Sequence, residues 1–453
     1  MHMMKAVFVT SVTLSFSLSV GATDLLDTYR AAQGQDSVFA AARSTQQAGK
    51  EKLTQGRSTL LPSVNLTASS TYNNNETQYN QAVPSTALQG TSRFINNGAA
   101  VTLVQPLYRQ NNWMVYSQSE LQVAQTDAQF RNAEQDLIIR SAQAYFDVLA
   151  AQDAVNLAEA QKTAIAEQLA QAKRNFEVGS ATITDTLEAQ ARYDLTNSQA
   201  IAAQSALEIK ERTYQQLTNA LPKNLKPVSA SLKLEAPQPA NAEKWVADAL
   251  QGNSQLAAAK AAAELADKEV TRNRGVHYPT LDLVGSYGKN KISPVGSGTL
   301  GNGNNAIDTD QTTSYVGVQL NIPLFQGGST NSKWREAEAN RERANAELES
   351  ARRNVDLQTR QAYTGVVNGM SQVMALEQAL KSSEKLLEAS KLGQEVGVRT
   401  NLDVLNAQQQ LYSTRRDLAQ ARYNYLLSRL KLKAAAGSLA EEELALVNKA
   451  LLN

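Results

Sequence analysis

The sequence predicts a mainly α protein with a transmembrane β-barrel segment, built as one strand–strand–long helix–turn–helix repeat present twice. Three observations predict it. The same turn sequence occurs at Glu177–Gln190 and at Glu395–Gln408. Two long stretches with little proline or glycine lead into those turns. Four segments alternate apolar and polar residues, each with a proline at one edge: Pro62, Pro106, Pro279 and Pro323.

In the two turns, Gly179, Thr182, Asp185 and Leu187 fall in register with Gly397, Thr400, Asp403 and Leu405. Gly179 and Gly397 suit the position just past a helix end, where a positive φ excludes a Cβ. Thr182 and Thr400 suit an N-cap, and Asp185 and Asp403 follow three residues later, where a carboxylate reaches back to the cap N–H. Each stretch therefore reads as a tight turn between two long helices. Other landmarks repeat in the same order: Leu61-Pro62-Ser63 with Tyr278-Pro279-Thr280, Gln105-Pro106-Leu107-Tyr108 with Ile322-Pro323-Leu324-Phe325, and Gln143-Ala144-Tyr145 with Gln361-Ala362-Tyr363. Self-similarity at this distance marks a duplication.

Composition narrows the chemistry. The chain has 453 residues, a formal net charge of +1, no cysteine and only His2 and His277. Near-neutral charge indicates neither a nucleic-acid surface nor an acidic tail. Without cysteine there is no disulfide, thiolate metal site, cysteine nucleophile or lipid-bearing N-terminal cysteine. Histidine catalysis and histidine metal sites are equally unsupported, so no cofactor, metal or enzyme activity is expected.

Residues 1–22 read as a secretory signal peptide: Lys5, an apolar run from Ala6 to Val20, and small residues at Val20-Gly21-Ala22. The first repeat, 23–220, opens with one helix from Asp24 to Gly56. Strands follow at about 62–72 and 99–108, with Val64, Leu66 and Ala68 alternating against Asn65 and Thr67. The polar stretch 73–97 between them reads as a long exposed loop. A helical hairpin spans 113–219, and its first arm, Trp113 to Val178, reaches roughly 100 Å at 1.5 Å per residue. Residues 221–240, with four prolines, form an irregular link with a short strand at 228–234.

The second repeat, 241–436, opens with a short helix near Trp245 and has strands at about 279–289 and 313–325. A Gly- and Asn-rich loop, 296–305, lies between them, and the hairpin spans 329–436. Gly365, Gly369 and Gly393 are expected to loosen its first arm. In the second arm Val404, Leu411, Leu418, Tyr425 and Leu432 recur every seven residues, with Ala407, Thr414, Ala421 and Ser428 three places later. Large residues at one seam position and small ones at the other suit helices packed closely in a ring. The tail, 437–453, adds an acidic then apolar helix that packs with the link as a belt around the hairpins.

Alternation over about ten residues with long loops matches a transmembrane barrel, but also a soluble hairpin with one buried face. Four strands cannot close a barrel and lipid tolerates no open edge, so spanning strands require several chains to share one barrel.

With these motifs, and with Ala421-Arg422-Tyr423-Asn424-Tyr425-Leu426, nearly all of the mature chain resembles the TolC family of outer-membrane channel proteins. The resemblance implies a homotrimer with a shared twelve-stranded barrel in outer-membrane lipid, above a long periplasmic α-helical barrel. It also implies a passive duct whose tips meet a periplasmic adaptor and an inner-membrane pump, either ABC-type or proton-driven. Drugs or secreted proteins would leave through it.

By the same resemblance Arg399 matches a latch arginine, Asp403 a constriction aspartate, and Thr184 with Asp185 the latch partners. Gln394 stands where a latch tyrosine would, and Asn406 where a second ring aspartate would. The bland reading of Asp185 and Asp403 is capping alone, worth on the order of 1 kcal/mol each. A competing reading of the whole chain is a soluble periplasmic coiled-coil scaffold, with the strands as a capping sheet.

Overall fold

The computed structural model describes residues 23–78, 90–180, 182–229, 232–295 and 308–451. The signal-peptide segment, the loop tips at 79–89 and 296–307, and residues 230–231 of the expected link strand lie outside these.

The first helix of each repeat is two helices. In the first, α1 (Leu25–Gln35) gives way to α2 (Ser37–Ser58) at Asp36, whose carboxylate accepts from the Phe39 N–H. An Asp or Asn at this point prefers to cap the next helix rather than continue the last. The second repeat does the same: Asn253, accepting from the Leu256 N–H, separates α5 (Ala242–Gly252) from α6 (Ser254–Gly275). The helix near Trp245 is thus the twin of α1, and the single helix expected over 24–56 is corrected. Arg140 donates to Asp36 at 2.8 Å. Burial alone would raise the Asp36 pKa, but Arg140 and the Phe39 N–H outweigh it and hold the carboxyl below its ordinary range.

Four antiparallel strands form one open sheet in the order β1 (Ser63–Thr77), β2 (Gly90–Tyr108), β3 (Thr280–Pro294), β4 (Thr309–Asn321). Both β1 and β4 keep an unpaired outer edge. The strands run further outward than expected: 73–76 pair with 91–94, so most of the stretch read as a loop is strand. Polar residues on both faces hid the period there. At the other end β4 stops at Asn321 rather than 325, since Pro323 has no N–H to continue a ladder.

The register decides what each face carries. Val64 and Leu66 lie opposite Leu103 and Val101. Val101 lies opposite Tyr287, and Val316, Val318 and Leu320 opposite Gly285, Leu283 and Leu281. Opposed residues share a face, so the apolar rows form one surface and Asn65, Thr102, Ser286 and Gln319 the other. That apolar surface is bare in the single chain, with Leu66 73% and Val316 80% exposed. Among the described residues, no helix is long and apolar enough to cross a membrane.

Below the sheet, α3 (Gln110–Glu177) and α7 (Ser329–Glu395) are the long arms, and α4 (Ile183–Thr218) and α8 (Asn401–Ala435) return along their far halves. At 68 and 67 residues each arm is roughly 100 Å long. α7 is continuous through Gly365, Gly369 and Gly393, contrary to the looser arm expected. Every large residue of the α8 seam is buried, as are Ala407, Thr414 and Ala421.

The main hydrophobic core sits at the belt. Tyr145, Phe146, Tyr423, Tyr425 and Trp245 meet α1, the link and the tail helix α9 (Glu441–Asn448) there. Tyr145 Oη donates to the Lys226 carbonyl at 2.8 Å. Phe146 stacks on Tyr423, with ring centroids 5.7 Å apart. Among the described residues of the link, 228–229 and 232–234 form no strand, and Val228 makes an isolated bridge with Leu451. Its contact with the tail is as expected.

Sheet and helices meet at a half-buried charge pair. Arg109, the residue before α3, donates from Nε and Nη2 to both oxygens of Asp282 in β3, at 2.7 and 2.6 Å. The Asp282 side chain is 9% exposed.

Candidate functional site

The narrow end of the molecule is made by the two turns, and local chemistry fixes both in the same way. Gly179 and Gly397 take φ of +75° and +79°, where a side chain would be strained. In each turn the second residue past the helix bonds back to the last turn: Ser180 N to Asn175 O and Val398 N to Gly393 O, both 2.8 Å. Thr182 and Thr400 then cap α4 and α8. Asp185 N donates to the Thr182 hydroxyl at 3.3 Å, while Thr182 N donates to the Asp185 carboxylate at 2.9 Å. The corresponding bonds of Thr400 and Asp403 are 3.2 and 2.9 Å. Both are full capping boxes.

These bonds set the carboxyls' titration. The Thr400 N–H, then its hydroxyl, then the nearby Arg399, hold Asp403 below its ordinary range. The Thr182 hydroxyl and N–H do the same for Asp185. A carboxyl whose folded pKa is depressed contributes fully above its unfolded value, near about 4, and loses that contribution as pH falls through the lower folded value. Hydrogen exchange, corrected for intrinsic rate, should therefore show the Thr182 and Thr400 amides losing protection only below about pH 4. Protection that fades near neutrality would show that other groups hold the caps.

Arg399 reaches back over its own turn. Its Nη1 lies 3.7 Å from Asp403 Oδ1, with the two side chains 54% and 37% exposed. Its stem crosses α7 at Gly393, where a Cβ would press on Arg399 Cγ at 2.7 Å. Gly393 therefore makes room for Arg399. Among the described residues of one chain, no hydrogen bond or ion pair joins Arg399 to Thr184 or Asp185. Thr184 is exposed in the first turn of α4. Gln394 donates to Asn401 across the turn at 3.4 Å.

Asn406 has a partner that sequence reasoning missed. Arg192 of α4 donates from Nη2 to Asn406 Oδ1 at 3.1 Å and from Nη1 to Gln409 Oε1 at 2.6 Å. The helical period offered a signal, since Asp185, Ala189 and Arg192 share a face. No group of His, Asp or Glu arranged to hold a metal occurs among the described residues.

A bare apolar sheet face with open edges, continued by two long hairpins that converge on capped tips, defines a class: a membrane-seated channel subunit with a long helical conduit. The sequence model of the family described as Outer membrane efflux protein matches residues 28–220 and again 245–438, once per repeat. The chain belongs to that family. It is 33% identical over 442 residues to Outer membrane protein TolC of Escherichia coli K12, covering 96% of this chain and 86% of that one. It is also 33% identical over 432 residues to Alkaline protease secretion protein AprF of Pseudomonas aeruginosa, covering 94% and 87%. The solved Campylobacter jejuni CmeC outer membrane channel shares the fold at a TM-score of 0.76 and 16% identity, covering 100% of this chain and 98% of that one. The Vibrio cholerae outer membrane protein VceC shares it at 0.74 and 18%, covering 91% and 96%. The chain is accordingly an outer-membrane protein, with its long helical portion in the periplasm.

Proposed function

We propose that this chain is one third of a passive exit duct. Three copies complete a twelve-stranded barrel in the outer membrane, and their six hairpins form the conduit below it. A periplasmic adaptor and an inner-membrane pump dock at the tips and hand over drugs or secreted proteins, with no cofactor and no catalysis by the duct. The observation that carries this reading is the four-stranded sheet with two unpaired edges and one bare apolar face. Lipid tolerates neither edge, and one chain has too few strands to close a barrel. A soluble scaffold would leave that apolar face in water, which large patches of this kind seldom survive. Mass measurement of the purified protein in detergent is expected to give three copies. A stable single copy inserted in lipid would sink the shared barrel.

We further infer that the tips are the gate. Three Asp403 carboxylates around one axis attract cations and repel anions, and their mutual repulsion would oppose the downward pull of each cap. The Arg399–Asp403 pair is exposed and correspondingly weak. In the proposed assembly Arg399 would pair with Thr184 and Asp185 of a second copy. In planar bilayers Arg399→Ser should raise single-channel conductance. Asp403→Ala should weaken cation selectivity and block by multivalent cations with the assembly intact. A change only in thermal stability would leave Asp403 as a helix cap.

A further inference from the structure

The two hairpins are joined at the belt by packing of α3 on α8, but α4 and α8 touch little, and near the tips one side chain bridges them. We propose that Arg192 is the fastener that holds the α7–α8 hairpin against the α3–α4 hairpin at the narrow end, and that this contact breaks when the tip opens. The proposal rests on the tips being the gate.

Asn406 and Gln409 lie one turn apart on α8 and present their carbonyl oxygens to α4. Arg192 places one guanidinium nitrogen on each, at 3.1 and 2.6 Å. A planar fork with two outward N–H groups suits two acceptors at that spacing, and a lysine would satisfy only one. A further side-chain hydrogen bond between the hairpins runs from Tyr423 Oη to Asp153 Oδ2, at 2.6 Å, up in the belt. The span of α8 from Gln409 to Tyr423 is about 20 Å. α8 packs chiefly on its own partner α7 and secondarily on α3, whereas α4 and α8 touch little. Arg192 is therefore not part of a packed seam. Its loss frees the tip without repacking a core.

The chemistry of the acceptors gives the fastener a signature. Both are uncharged amides, so the bonds carry no ion-pair attraction for salt to screen and no partner that titrates. The Arg399–Asp403 pair on the neighbouring turn is an exposed ion pair and weakens as ionic strength rises. Opening held by Arg192 is thus insensitive to salt. Converting one acceptor to a carboxylate, Gln409→Glu, should make it salt-sensitive.

The test is single-channel recording of the full-length protein in planar bilayers, with thermal stability and particle size as controls. Arg192→Ala is expected to raise conductance, shifting the open-to-closed ratio about five-fold for each bond-sized contribution lost. Arg192→Lys should restore part of the closure. Adding Gln409→Ala to Arg192→Ala should change nothing more. Gln409→Glu should tighten the closed state at low salt and release it at high salt, only while Arg192 is present. If Arg192→Ala leaves conductance unchanged while Asp403→Ala alters selectivity, the gate stands and Arg192 is not its fastener. If neither variant alters conduction, the gate reading falls and this proposal with it.

Discussion

Replacing Tyr425 by alanine is expected to lower the protein's stability by about 3–5 kcal/mol, the usual loss for truncating a buried aromatic. Tyr425 is fully buried in the belt core. Its hydroxyl accepts from the Glu235 N–H and donates to the Glu235 carbonyl, both at 2.8 Å. It is thus the bolt between α8 and the link. Tyr425→Phe keeps the ring and abandons both peptide groups of Glu235, so a smaller loss of about 1–3 kcal/mol is expected. Thermal unfolding followed by circular dichroism ranks the three proteins, and limited proteolysis should cut the variants first near Pro237. Equal melting of Tyr425→Ala and the parent would remove the belt from its place as the fold's anchor.

A smaller effect is expected where sheet meets helix. Arg109→Met strands the Asp282 carboxylate, whose side chain is 9% exposed, with no partner for its charge. Breaking a fully buried pair destabilises by about 3–5 kcal/mol, but Arg109 is itself 38% exposed, so screening reduces the expected loss to about 1–3 kcal/mol, and replacing both members with apolar residues is often near neutral. The double variant Arg109→Met with Asp282→Leu should therefore recover most of the loss. If the double variant is as unstable as the single one, the pair sets geometry rather than avoiding a stranded charge. Thermal unfolding followed by circular dichroism is a convenient readout for both.

How legible each part was depended on how local its causes are. The turns could be read completely, because Gly397, Thr400 and Asp403 act on one another within a single turn of chain. The long arms were equally plain. The break at Asp36 was written in the sequence, as Asp36-Ser37 and again as Asn253-Ser254, but the alanine-rich surroundings favour helix throughout and masked it. The outer halves of the strands escaped because a stretch such as Asn73-Asn74-Asn75 is polar on both faces and shows no period of two. The helical period puts Arg192 on the face of Asp185 and Ala189 but does not give its partner. Its acceptor Asn406 lies 214 residues away, and their meeting depends on how two hairpins lie side by side.

The two bare edges of the sheet have a consequence for genetics. On the proposed sharing of one barrel wall by three copies, there is no private repair: one damaged subunit spoils each assembly it enters. In a cell making intact and damaged chains equally, random mixing in threes leaves only about one assembly in eight wholly intact. Lesions that spare export and mixing, such as those at the tip, should then behave as dominant. Lesions that prevent the sheet from forming should be recessive, because those chains never join.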